Sequence, residues 1–80
     1  MDANDTKPAE EWSVDELMGW IEQKRHGLLT EDDREIFIIN YISGDTFLHD
    51  GNRRFFKECG LSPGKAVTLA RLSRELAKES

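Results

Sequence analysis

Eighty residues with a net charge of −5 and a single cysteine, Cys59, describe one small acidic domain. A chain this short buries little more than about 60 % of the surface its unfolded form exposes, and with no metal-ligand spacing and no second cysteine it has neither a zinc clip nor an internal disulfide to reinforce a small core. No stretch approaches the roughly 20 apolar residues that a bilayer span needs, and a lone thiol suits a reducing compartment, the cytoplasm or with it the nucleus.

Residues 1–11 are polar and acidic, carry Pro8 and contain no apolar run, so they read as a disordered lead-in rather than a signal peptide, with the domain itself over residues 12–78. Trp12-Ser13-Val14-Asp15-Glu16-Leu17 is the clearest local signal. With Ser13 as cap, Glu16 stands at the third helical position to complete a capping box, and Trp12 and Leu17 occupy the two places of a hydrophobic staple. Val14, Leu17, Met18 and Ile21 share one helical face, and the helix should end near Lys24 or Arg25, before Gly27.

Thr30-Glu31-Asp32-Asp33 offers a second cap followed by three carboxylates where a helix dipole favours them. The run Ile36 to Ile42 that follows suits either a helix or a buried strand. The cap and the absence of a partner strand favour helix, buried nearly all round or presenting an apolar patch to a partner. Ser43 to Leu48 reads as a turn and one short helical turn, with Phe47 and Leu48 plugging the core, and His49-Asp50-Gly51-Asn52 as a second turn. Arg53 to Cys59 is a short helix in which Phe55 and Phe56, being adjacent, cannot both face inward. Gly60 suits a left-handed helix end, Ser62 a cap and Pro63 a first helical position, so a long closing helix runs from about Pro63 to about Lys78 with Leu69, Leu72 and Leu76 on one face. The fold class is all-α: a compact five-helix bundle with a long C-terminal helix. Its predicted core is Trp12, Leu17, Ile21, Phe37, Ile42, Leu48, Phe56, Leu61, Leu69, Leu72 and Leu76.

Charge is unevenly spread. Residues 1–40 hold eleven Asp and Glu against four Lys and Arg, a balance of −7, whereas residues 41–80 hold five against seven, a balance of +2. Such a chain suits protomers meeting head to tail. Catalysis finds no support, because His26 and His49 are the only imidazoles and neither has a nucleophile at a meaningful spacing. Eighty residues also leave little room for a core and a substrate pocket of about 300 Å³. The chain is read as a binding module without enzyme activity, metal or cofactor.

Taken together and in order, Trp12 to Leu17, Trp20-Ile21, Phe37, Asn40, Ile42-Ser43-Gly44, Leu48, Cys59 to Gly64 and the Leu-spaced last helix resemble a sterile alpha motif (SAM) domain over about residues 12–77. The chain departs from that family in three places. The segment between Trp20 and Phe37 is about one helical turn longer, Cys59 stands where leucine is usual, and Arg53 and Arg54 fall where Leu-rich and acidic residues are common. The resemblance implies a protein–protein interaction module of the signalling or scaffold kind, self-associating or pairing with another SAM-like domain. It implies an end-helix surface of Leu61, Pro63, Gly64 and Lys65, and a mid-loop surface of Asn40, Ser43, Asp45, His49 and Asp50. Ala66 replaces a frequent basic residue and the mid-loop set has only two carboxylates, so a single interface or a dimer fits better than a long polymer. The alternative is RNA stem-loop binding, which some relatives of this fold perform, here through Arg53, Arg54, Lys57, Arg71 and Arg74 with Lys65; the acidic composition argues against it.

Overall fold

Four of the five α-helices begin where a side chain accepts from an orphan amide, and the helix that follows Ser43 begins without such a bond. In the computed structural model, which describes residues 7–79, the Glu16 amide donates to Ser13 Oγ (3.2 Å) and the Ser13 amide to Glu16 Oε1 (2.9 Å), opening α1 (Val14–Lys24). The same reciprocal box, built with aspartate, opens α2 (Glu31–Ile39). There the Asp33 amide donates to Thr30 Oγ1 (3.3 Å) and the Thr30 amide to Asp33 Oδ2 (3.0 Å). After α3 (Gly44–Asp50), Asn52 Oδ1 accepts from the Phe55 amide at 2.9 Å to start α4 (Arg53–Cys59), and Ser62 stands before α5 (Pro63–Glu79). The protein is therefore all-α among the described residues, and the ambiguous Ile36–Ile42 run is helical as far as Ile39.

The five helices close around a file of aromatic rings. Centroids lie 6.1 Å apart for Trp12 and Trp20, 6.3 Å for Trp20 and Phe47, and 5.7 Å for Phe47 and Phe56. At α5, 17 residues and so about 26 Å long, Ala66, Leu69, Leu72 and Leu76 seal the file from one side. The buried Ser73 hydroxyl donates to the Phe47 carbonyl at 2.7 Å, which fixes the height of α3 against α5.

Three expectations are corrected. Leu48 is only half-buried, and Phe47 is the fully enclosed plug, because α3 extends a full seven residues and its winding carries the neighbouring position to the rim. His49 and Asp50 are the last residues of that helix, so the turn shrinks to Gly51 and Asn52. The lead-in is folded from Lys7 onward, with residues 1–6 outside the described range. Ala9–Glu11 form a 3-10 turn with Ala9 buried, the Trp12 indole donates to the Lys7 carbonyl (3.3 Å), and Lys7 Nζ pairs with Glu16 at 2.9 Å. Gly44 makes the close approach possible: a β-carbon there would lie 1.9 Å from the Ala9 carbonyl oxygen.

Candidate docking surfaces

Helix α2 has Phe37 turned inward, which leaves Ile38 and Ile39 pointing elsewhere. They are 56 % and 75 % exposed, and Tyr41 just beyond is 71 % exposed; these three are the exposed large hydrophobic side chains among the described residues. The helix ends in a Schellman motif. The Tyr41 amide donates to the Ile38 carbonyl (3.1 Å) and the Ile42 amide to the Phe37 carbonyl (2.9 Å), which returns Ile42 to the core. The residue that turns the chain is Tyr41, at φ 49°, in the left-handed region. Helix α4 ends with the same pair of bonds, Gly60 to Lys57 and Leu61 to Phe56 (both 3.1 Å), but there a glycine takes the turn at φ 108°. A tyrosine in that role costs about 1–2 kcal/mol that glycine avoids, and in return an aromatic ring is held in solvent beside two isoleucines.

Next to this apolar patch in the chain lie the expected mid-loop residues. Asn40, Asp45, His49 and Asp50 are exposed and Ser43 is half-buried. Asn40 caps α2 with its own side chain, Nδ2 donating to the Ile36 carbonyl at 2.9 Å. Asp45 and His49, one turn apart on α3, meet at 3.3 Å.

The expected end-helix set is not one surface. Pro63 and Gly64 are exposed, but Leu61 is buried in the core, and the Lys65 ammonium donates to the carboxylate of the nearly buried Asp33 across the α2–α5 interface. The cation expected to meet a partner is thus neutralised within the chain. Burial pushes the Asp33 pKa up, but the bonds from Lys65 and Thr30 outweigh it and the carboxyl lies below its ordinary value. Sequence reasoning missed this pairing because 32 residues separate the partners.

Of the alternative basic residues, Arg53, Arg54 and Lys57 come together along an open depression of 350 Å³ that Glu58 also lines. Glu58 pairs with Arg54 at 3.4 Å. Arg71 and Arg74 are exposed on α5 and do not line it.

Cys59 is half-buried, and burial, with the Glu58 carboxylate adding to it, raises the pKa of its thiol. At pH 7.5 iodoacetamide should therefore alkylate Cys59 several-fold more slowly in the folded protein than in urea; equal rates would contradict the assigned environment.

Among the described residues, no helix is long and apolar enough to cross a membrane. Comparison of the chain with protein-family models, with curated proteins and with solved structures found no match in any of the three, so the SAM resemblance rests on the residues that carry it.

Proposed function

We propose that the chain is a protein–protein interaction module that self-associates or pairs with a second SAM-like domain, as part of a signalling or scaffold protein. The docking face consists of Ile38, Ile39 and Tyr41 with the neighbouring mid-loop residues Asn40, Ser43, Asp45, His49 and Asp50. One observation carries this reading: Tyr41 occupies a backbone conformation that glycine would fill at lower cost, and the result is an exposed aromatic side chain two and three residues along the chain from two exposed isoleucines. Strain retained where it exposes an apolar surface supports a role in recognition. Three side chains of this size bury well under the 1,200–2,000 Å² of a standard stable interface, so the contact is weak unless the charged flank joins it.

Tyr41→Gly separates docking from folding. It should raise stability, by up to about 1 kcal/mol in urea unfolding, while it weakens association measured by sedimentation over a hundredfold concentration range. Ile39→Asp should weaken association equally and leave stability nearly unchanged. If the wild-type chain stays monomeric throughout, self-association is wrong and only pairing with a different domain survives. If both variants bind every partner as the wild type does, the face is wrong.

A second reading, an RNA stem-loop on the α4 cations, has in its favour only the depression formed by Arg53, Arg54 and Lys57. It requires log affinity to fall linearly with log salt, and labelled stem-loop RNA unshifted at low salt would eliminate it.

A further inference from the structure

We propose that Glu10, Asp45 and His49 form a surface site for a divalent transition-metal ion of the zinc type. Each contributes one donor atom, and the three atoms lie within 4.8 Å of one another. His49 Nε2 is 3.3 Å from Asp45 Oδ1 and 3.8 Å from Glu10 Oε2. Donors bound to zinc at about 2.0–2.1 Å in a tetrahedron stand about 3.3 Å from one another. The His49–Asp45 separation has that value, and the His49–Glu10 separation exceeds it by a distance that side-chain rotation can close.

The donor set selects the class of ion. One imidazole nitrogen with two carboxylate oxygens suits zinc and its first-row neighbours, whereas calcium takes 6–8 oxygens and magnesium prefers oxygen donors and retained water. Asp45 and His49 are one turn apart on α3, a spacing that presents both to the same side of a helix. Glu10 comes from the 3-10 turn, and contacts that owe nothing to an ion hold that turn in place. Ala9 is buried, and the Gly44 amide donates to the Trp12 carbonyl at 3.1 Å. Two elements far apart in the chain are therefore already in register, and an ion would bind without an ordering cost in the backbone. All three side chains are well over half exposed, so water completes the coordination and the ion exchanges freely. Its charge would also neutralise Asp45, on the proposed docking face, which makes the site a candidate regulator of that face; the site itself does not depend on that reading.

The test is calorimetric titration of the full 80-residue chain with zinc chloride in a non-chelating buffer. Wild type is expected to bind one zinc ion per chain. His49→Ala should weaken binding at least about tenfold, the scale on which even second-shell partners act, and Glu10→Gln and Asp45→Asn should each weaken it measurably. The double variant His26→Ala/Cys59→Ser should bind as the wild type does, and calcium should give no heat. Because the three ligands are exposed, the single variants are expected to stay folded, and circular dichroism of each verifies this. Absence of one-to-one binding up to millimolar zinc, or His49→Ala binding as tightly as wild type, would overturn the proposal. In the second case the ion sits on His26 or Cys59.

Discussion

Phe47→Ala is expected to remove a quarter or more of the stability of this domain. Phe47 is fully buried, sits between the Trp20 and Phe56 rings, and offers its carbonyl to the buried Ser73 hydroxyl from a helix of only seven residues. Such a helix has too little internal hydrogen bonding to persist once its anchor is gone. Truncating a buried phenylalanine costs about 3–5 kcal/mol. At about 0.05–0.15 kcal/mol per residue, a chain of this size holds about 4–12 kcal/mol in total. Leu48→Ala, one residue away and half-buried, should cost about 1 kcal/mol. Urea unfolding followed by tryptophan emission measures both, and a larger loss for Leu48→Ala would mean that α3 is rotated from the position described.

Lys65→Ala should cost about 1–3 kcal/mol at pH 7, and Lys65→Glu more, because each leaves the Asp33 carboxylate nearly buried with only Thr30 to bond it. The dependence on pH carries a definite sign. The Asp33 pKa is lowered in the folded state, so its contribution is complete above the unfolded value of about 3.9 and is lost as pH falls through the folded value. The gap between wild type and Lys65→Ala should therefore be widest near neutrality and narrow as the pH drops below about 4. A gap independent of pH would show that Lys65 matters through packing alone. It also follows that Lys65→Glu is a poor probe of docking, since it disturbs the α2–α5 contact, whereas Ile39→Asp changes an exposed side chain and leaves that contact intact.

Helix boundaries were legible in the sequence wherever the decisive contacts are local. Ser13 with Glu16, Thr30 with Asp33, and Gly60 followed by Ser62 and Pro63 each act within a few residues, so their order in the chain is enough to place α1, the start of α2 and the corner before α5. The choice between Phe47 and Leu48 was not legible, because adjacent apolar residues on a short helix differ only in which one the rest of the fold covers. Nor could spacing reveal pairings such as Lys65 with Asp33 or Glu10 with His49, which exist only after the helices have packed. Of the candidate docking residues, the density of apolar side chains in the Ile36–Tyr41 run left two outcomes open, a helix buried nearly all round or an apolar patch, and the packing of Phe37 against the core with Ile38 and Ile39 exposed decides for the patch. The left-handed Tyr41 was not legible, since nothing in the sequence marks a tyrosine for a glycine's place.

The two tryptophans give this protein a built-in optical reporter. Trp12 comes just after the N-terminal turn and Trp20 lies inside α1, both buried, with ring centroids 6.1 Å apart at 45° and the Lys24 ammonium 5.5 Å from the Trp20 ring. Indoles this close and this inclined couple their electronic transitions, so circular dichroism should register whether the turn is seated on the bundle. Emission wavelength would follow solvent entry at the same place, and zinc titration and unfolding could both be followed spectroscopically with no attached dye.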